Sequence, residues 1–181
     1  MKYSLNLIKI AVFLSSFLIF LFISSPTFSD AEKLKKWDGA GDVNLKFSDL
    51  GGNILELKDF RESVILLNFW ASWCAPCVNE MPALIKLSEK FKDFSFKLVM
   101  VNFGENTQKV RDFSKSLSNP SDIYLDQDKL SGNFWVTKGL PVTYLINKKG
   151  QITHMVMGEV DWNHESIEKI IRKLFRSFEN E

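Results

Sequence analysis

Cysteine and histidine are scarce in this sequence, which contains two of each. Cys74 and Cys77 lie so close together that a disulfide between them would close a very short loop and stabilise the fold little. A structural zinc ion needs a tetrahedral set of ligands, and His154 and His164 do not have ligand-like spacing to the cysteines. The scarcity therefore excludes a disulfide framework and a zinc site, and it leaves redox chemistry for the cysteine pair.

An excess of charge of either sign is also lacking, because 23 basic residues stand against 22 acidic ones. Without a basic stripe the chain has no footprint for a phosphate backbone, so nucleic acid is excluded as a partner. Internal repeats and low-complexity stretches are absent as well. The length that follows the N-terminal leader suits one domain with a single core.

The N-terminus carries Lys2 and Lys9 ahead of an uncharged apolar run from Ile10 to Ile23. This pattern predicts an export signal. Cleavage after Ala31 and an uncleaved membrane anchor both fit it, because the uncharged stretch is about as long as a bilayer crossing. Residues 1–31 are therefore predicted to be a signal peptide or an anchor. The domain is expected in the periplasm or on the extracytoplasmic face of the membrane, with membrane contact through the N-terminus if the leader is uncleaved.

Residues 32–42 are polar and contain glycines, which predicts a mobile tether ahead of a domain that spans residues 43–181. The domain opens with two alternating apolar and polar segments, Val43 to Phe47 and Ile54 to Leu57, around a glycine-bearing turn. This alternation predicts a β-hairpin added N-terminal to the core.

The rest of the domain alternates strand and helix patterns. Val64 to Trp70 is almost continuously apolar, as in a strand buried on both faces, and a helix with one apolar stripe follows from Ala75. Further strands are predicted at 94–101, 123–125, 142–146 and 151–157, and helices at 107–117 and 167–178. The order predicts an α/β fold with a central mixed sheet flanked by helices, because strand–helix–strand units pair in parallel and the final hairpin is antiparallel.

Cys74 lies between the apolar strand Val64 to Trp70 and the helix that begins at Ala75. The thiolate is the reactive form of cysteine, and the free N–H groups and the dipole at a helix N-terminus stabilise it. Cys77 lies one turn further in and is predicted to be more buried, while Pro76 suits the first turn, where an N–H has no helical partner. Cys74 is therefore predicted to attack a substrate disulfide, and Cys77 to resolve the mixed disulfide.

Three segments resemble the TlpA/ResA branch of the thioredoxin superfamily: Leu66 to Pro82, which contains Trp-Cys-Ala-Pro-Cys, Gly139 to Ile146, and Asp49 to Gly52. The resemblance implies a thioredoxin-like fold and the activity of a thiol-disulfide oxidoreductase. Members of this branch are membrane-anchored or periplasmic. Many act as reductants in the assembly of respiratory cytochromes or copper centres.

The resemblance also implies which residues meet a client protein. Pro141 matches the family's active-site cis-proline opposite the cysteines, and Leu140 would offer backbone groups there to an extended client segment. An ordinary trans proline that opens a strand is the alternative. Trp73 and Pro76 border the cysteines and complete the predicted client-binding set.

Glu80 follows Cys77 by three residues and hence lies on the same face of the predicted helix. It is predicted to take or give the proton that Cys77 exchanges during resolution. A glutamate exposed near the favourable end of the helix is the alternative. Asn68 stands where thioredoxin has a buried aspartate, so that position cannot supply a base.

These features predict a disulfide reductase that acts as a monomer on disulfide-bearing client proteins, with no cofactor beyond the Cys74–Cys77 disulfide. Because no segment of the chain resembles a nicotinamide-binding or flavin-binding site, a membrane protein is expected to supply its electrons. Two alternatives stay open. One is a cytochrome c maturation reductase of CcmG type, and the other is a Cu(I)-binding delivery module in which the same cysteines hold the metal.

Overall fold

Eight strands and three α-helices lie within residues 33–39, 45–117, 122–136 and 138–176, which are the residues that the computed structural model describes. The strands are β1 Lys35–Lys36, β2 Lys46–Asp49, β3 Ile54–Glu56, β4 Val64–Trp70, β5 Phe96–Phe103, β6 Ile123–Asp126, β7 Val142–Ile146 and β8 Ile152–Met157. The helices are α1 Ala75–Lys90, α2 Thr107–Ser114 and α3 Glu165–Arg176, and short 3-10 turns lie at Leu57–Phe60 and Leu130–Asn133.

Strand β4 lies at the centre of the sheet because its sequence is apolar on both faces, and all seven of its residues are buried. It pairs in parallel with β5, where Trp70 lies opposite Asn102. On its other side it pairs antiparallel with β7, where Phe69 lies opposite Val142. The C-terminal end of β4 therefore lies between the end of β5 and the start of β7.

Across the sheet the strands follow the order β1-β8-β7-β4-β5-β6-β2-β3. The β4–β5 and β5–β6 pairs are parallel, and a helix connects the strands of each pair. The other pairs are antiparallel. The predicted central mixed sheet flanked by helices is confirmed.

Apolar layers cover both faces of the sheet. On one face all three helices contribute to a single core cluster, through buried side chains such as Leu84, Val110 and Ile167. On the other face the N-terminal hairpin and the loop before β7 form a second cluster, with Phe47 and Trp135 among its buried residues. Burial on both faces holds β4 rigidly, which fixes the position of the loop that follows it.

The predicted N-terminal hairpin is confirmed, with β2 and β3 as its strands. Its turn contains Gly52 at a φ of 90°, a left-handed conformation that glycine adopts at little cost. The Asp49 carboxylate accepts hydrogen bonds from the backbone and the side chain of Asn53 across the turn. Strand β2 also pairs with β6, so the hairpin extends the sheet on the side opposite β8.

Residues 33–39 differ from the predicted mobile tether. Lys35 and Lys36 form β1, which pairs with β8 at the edge of the sheet, and Leu34 is buried in the core. The Trp37 ring packs edge-on against other aromatic rings of the second cluster. The tether prediction is wrong for these residues, because Leu34 is buried and Trp37 is partly buried against the sheet, which the polar composition of the segment concealed.

The predicted leader, residues 1–31, lies outside the described residues, and so do residue 32 and residues 40–42 of the predicted tether. Within the described ranges, none of the helices combines the length and the apolar composition that a membrane crossing requires.

Candidate active site

The two cysteines lie where β4 leads into α1. Cys74 precedes the first helical residue with extended backbone angles, φ −90° and ψ 96°, and its carbonyl accepts a hydrogen bond from the Val78 N–H. Cys74 and Cys77 form a disulfide with an S–S distance of 2.07 Å. Cys74 is 6% exposed and Cys77 is 1% exposed, so the prediction that Cys77 is the more buried of the two is confirmed.

The N-terminus of α1 provides a favourable electrostatic environment for a thiolate at Cys74. Its first turn contains no acidic residue that would repel the negative charge. Pro76 lies in this turn, where its missing N–H costs no helical hydrogen bond. The dipole of α1 and the unpaired N–H groups of its first turn thus favour the reactive form of Cys74.

Exposed apolar side chains lie beside the cysteines. Trp73 is 66% exposed, and Pro76 is exposed as well. The Leu140–Pro141 peptide bond is cis, as predicted. Because Pro141 directly precedes β7, whose first residues pair with the end of β4, the proline loop lies at the same end of the sheet as the cysteines. The four predicted client-binding residues therefore share one end of the fold, and their contact with a client stays a prediction.

Glu80 is buried, with 3% of its surface exposed. Its Oε2 accepts hydrogen bonds from Trp162 Nε1 at 3.0 Å and from the Val160 N–H at 3.3 Å. Its Oε1 accepts a hydrogen bond from Asn68 Nδ2 at 2.9 Å. The alternative of an exposed glutamate on the helix surface is therefore excluded.

Burial is the main influence on the acidity of Glu80. Removal from water raises the pKa of its carboxyl group from the ordinary 4.5 to about 7. Hydrogen bonds from Trp162, Val160 and Asn68 favour the charged form and act in the opposite direction, but they do not outweigh the desolvation. A carboxyl group with a pKa near neutrality can both accept and release a proton at physiological pH.

Replacing Trp162 with phenylalanine should raise the pKa of Glu80 further. The indole N–H has the largest effect among the hydrogen bonds that favour the carboxylate, and phenylalanine removes that donor while keeping an aromatic ring in the core. An NMR titration of the Glu80 carboxyl carbon in the oxidised protein measures the change. Trp135→Phe, on the opposite face of the sheet, is the control, and an unchanged pKa in the Trp162 variant would contradict the prediction.

Asn68 connects Glu80 to the strand that follows the cis-proline. Its Nδ2 donates to Glu80 Oε1 at 2.9 Å and to Thr143 Oγ1 at 2.8 Å. All three side chains are buried, and Thr143 lies near the start of β7. The amide thus links the buried carboxyl group to the strand that carries the proline loop.

Sequence reasoning missed two residues around the cysteines. Trp162 is 82 positions from Glu80 along the chain, and no local pattern marks it as a partner of that carboxylate. Glu105 accepts two hydrogen bonds from Ser72, in the loop that leads to Cys74. A signal for Glu105 did exist, because it follows a strand of the parallel part of the sheet, at the edge where the carboxyl ends of such strands meet.

The position of the disulfide defines the class of this protein. A bond that closes so short a loop adds little stability, whereas a cysteine at a helix N-terminus beside an exposed apolar surface can exchange disulfides with other proteins. The protein is a thiol-disulfide oxidoreductase. Residues 38–155 match the AhpC/TSA family, and the chain belongs to that family.

Similarity to known proteins agrees with this class. Over 121 residues the chain is 33% identical to the thiol-disulfide oxidoreductase ResA of Bacillus subtilis, with 67% of this chain and 68% of the relative covered. A Chlorobium tepidum structure assigned as the thiol:disulfide interchange protein DsbE is 27% identical, with a TM-score of 0.67, and the match covers 78% of this chain and 98% of that one. A Neisseria meningitidis structure assigned as a thioredoxin is 29% identical, with a TM-score of 0.66, and the match covers 76% and 91% of the two chains. The thioredoxin-like fold and the resemblance to the TlpA/ResA branch are thereby confirmed.

Proposed function

We propose that this protein is an extracytoplasmic reductase that cleaves disulfides in client proteins of cytochrome or copper-centre assembly. The observation that carries the proposal is the unequal burial of Cys74 and Cys77 at the N-terminus of α1. Cys74, the more exposed of the two, can react with a client, whereas Cys77 can react only with Cys74. The resemblance to the TlpA/ResA branch supports the reducing direction and the class of client.

The proposed reaction begins with both cysteines reduced. The Cys74 thiolate attacks one sulfur of the client disulfide, which forms a mixed disulfide and releases the other client sulfur as a thiolate that takes a proton. Cys77 then loses its proton and attacks the Cys74 sulfur, which releases the client's remaining sulfur as a thiolate that also takes a proton. The Cys74–Cys77 disulfide forms, and an electron pair has passed to the client.

Glu80 is the proposed proton partner of Cys77. It lies on the same face of α1, and the raised pKa of about 7 lets its carboxyl group accept the Cys77 proton at neutral pH and release it later. The hydrogen bonds from Trp162 and Asn68 hold the carboxyl group in one orientation while it does so.

Further turnover requires an electron donor outside this chain. An extracytoplasmic compartment is oxidising, so the reductase is spent once its own disulfide has formed. We expect a membrane protein that passes electrons outward to reduce the Cys74–Cys77 disulfide again. The predicted leader would deliver the domain to this donor, either as a cleaved signal or as an anchor that keeps the domain at the membrane.

The reduction potential of the Cys74–Cys77 pair should lie nearer to that of thioredoxin, about −270 mV, than to that of DsbA, about −120 mV. A reductant of client disulfides needs a potential low enough for electrons to flow towards the client. Equilibrating the purified protein with dithiothreitol and glutathione buffers measures the potential. A value above about −180 mV would overturn the reducing direction and leave the oxidoreductase class intact.

A further inference from the structure

A buried carboxylate lies next to the loop that leads to Cys74. Glu105 is 7% exposed. Its Oε2 accepts hydrogen bonds from the Ser72 backbone N–H at 2.6 Å and from Asn102 Nδ2 at 2.8 Å. Its Oε1 accepts a hydrogen bond from Ser72 Oγ at 2.7 Å and lies 2.6 Å from Lys109 Nζ. Each carboxylate oxygen therefore has two donors, and Ser72 supplies one to each.

The register of the sheet brings Glu105 to Ser72. Strands β4 and β5 are parallel neighbours with Trp70 opposite Asn102, so their C-terminal ends lie side by side. Ser72 follows the end of the first strand, and Glu105 follows the end of the second after Gly104, whose φ of 80° turns the chain. The two residues thus meet at the end of the sheet that carries the cysteines.

Glu105 keeps its charge at physiological pH. Desolvation acts to raise the pKa of its carboxyl group, but hydrogen bonds from Asn102, Lys109 and Ser72 together outweigh it and hold this pKa at about 2. Hydrogen bonds to a charged acceptor are shorter and stronger than those to a neutral one. Both hydrogen bonds from Ser72 to Glu105 are therefore strong, charge-assisted hydrogen bonds.

The link to Ser72 matters most when the disulfide is open. In the oxidised protein the bond to Cys77 helps to hold Cys74 at the end of the helix. The reduced protein lacks that bond. Cys74 then depends on the turn that precedes it, in which the Cys74 N–H donates to the Ala71 carbonyl at 3.1 Å. Ser72 lies within this turn, so the hydrogen bonds from Ser72 to Glu105 fix the position of the turn.

We propose that Glu105 is a positioning residue for the attacking thiol, because it binds both the backbone N–H and the hydroxyl of Ser72 and so keeps Cys74 at the N-terminus of α1 in the reduced protein. The proposal rests on the role of Cys74 as the attacking cysteine. Glu105 acts through Ser72 and touches no substrate. Without the link, Cys74 moves away from the free N–H groups of the helix, and a smaller fraction of it is present as thiolate.

Two substitutions at Glu105 separate position from charge. Glu105→Ala removes the link to Ser72 and the negative charge together. Glu105→Gln removes the charge, but its carbonyl oxygen can still accept from the Ser72 N–H while its amide donates to the Ser72 hydroxyl. A nearby negative charge disfavours a thiolate, so loss of the charge alone makes Cys74 more reactive, whereas loss of the link makes it less reactive.

The rate of alkylation of the reduced full-length protein at neutral pH measures this reactivity, and peptide mass spectrometry identifies the modified cysteine. We expect Glu105→Ala to slow the alkylation of Cys74 about tenfold, and Glu105→Gln to react at least as fast as the wild type. An unchanged rate in Glu105→Ala would overturn the proposal. Equal rates in the two variants would also overturn it, because loss of the link to Ser72 would then add nothing to loss of the charge.

Ser72→Ala tests the link without opening a cavity at Glu105. It removes the hydroxyl bond and keeps the N–H bond, so we expect a smaller slowing, about threefold. Ser114→Ala is the matched control, because it removes a serine hydroxyl that donates to the Arg111 carbonyl within α2, and its rate should equal that of the wild type.

Urea unfolding of the oxidised variants distinguishes positioning from a purely structural role. Reduced stability in Glu105→Ala and Ser72→Ala with wild-type reactivity of Cys74 would overturn the proposal. Failure of the assigned role of Cys74, the part of the proposed function on which this proposal rests, is seen separately, because it would appear in the wild-type protein as preferential alkylation of Cys77.

Discussion

Replacing Cys77 with alanine should leave client proteins covalently attached to this protein. Cys74 stays at the N-terminus of α1 and can still attack a client disulfide, but no inner thiol remains to resolve the mixed disulfide. The adduct, which is transient in the wild type, should become the main product of the reaction. Non-reducing electrophoresis of cells that express the variant, followed by mass spectrometry, detects it.

Cys74→Ala is the matched control for this experiment. The remaining Cys77 is 1% exposed and lies within the helix, so a client disulfide cannot reach it and little should be trapped. Two classes of adduct are expected with the Cys77 variant: an extracytoplasmic client with a pair of cysteines, and the membrane protein that supplies electrons. Equal trapping by both variants, or none by either, would contradict the assigned roles.

Replacing Glu80 with glutamine should remove a pH-dependent loss of stability. The pKa of Glu80 is raised from 4.5 to about 7 in the folded protein, so the folded state binds this proton more tightly than the unfolded chain does. The stabilisation is fully present below the unfolded pKa and is lost as the pH rises through the folded pKa. The free energy of unfolding of the wild type should therefore fall by up to about 3 kcal/mol between these two pKa values.

Glutamine has nearly the same shape as glutamate but carries no titrating proton, so the part of the fall that Glu80 causes should be absent from the Glu80→Gln variant. Urea unfolding of the oxidised protein from about pH 4 to about pH 8 measures both curves. Glu89→Gln is the control, because Glu89 lies on the same helix but is exposed, and its curve should keep the fall. Parallel curves for Glu80→Gln and the wild type would show that Glu80 does not hold its proton in the fold.

Glu80→Gln should also slow resolution of the mixed disulfide by about a hundredfold, the lower end of the range for loss of a general acid or base. It should also change the pH dependence of thiol reactivity, because a titrating group beside the pair is gone. Stopped-flow alkylation across pH measures the second effect. A wild-type profile in the variant would give Glu80 a structural role only.

Much of the active site could be predicted because its signals are local. The apolar run of β4, the spacing of Cys74 and Cys77, and Pro76 belong to one strand–turn–helix unit, so hydrophobic periodicity and helix-end rules place both cysteines without the rest of the chain. The hairpin of β2 and β3 followed in the same way from alternation around a glycine-bearing turn. The cis bond at Pro141 was predicted from the family resemblance, since local pattern alone also allows a trans bond.

The features that escaped prediction depend on contacts between distant parts of the chain. The pattern of α1 allowed Glu80 to be buried or exposed, and its burial comes with Val160 and Trp162 from the segment before α3. Glu105 meets Ser72 only through the parallel register of β4 and β5. Tertiary packing decided both positions, and a periodicity argument confined to one helix or strand does not contain that information.

The short strand β1 forms one edge of the sheet and carries two exposed lysines. An open strand edge offers unpaired backbone groups to which another chain can add. Lys35 and Lys36 cover part of β8, and both side chains are exposed, so a second copy of the protein that approached this edge would meet like charge. The predicted client-binding surface around Trp73 is apolar and exposed, whereas the edge strand β1 carries positive charge that disfavours the pairing of two copies and hence their aggregation.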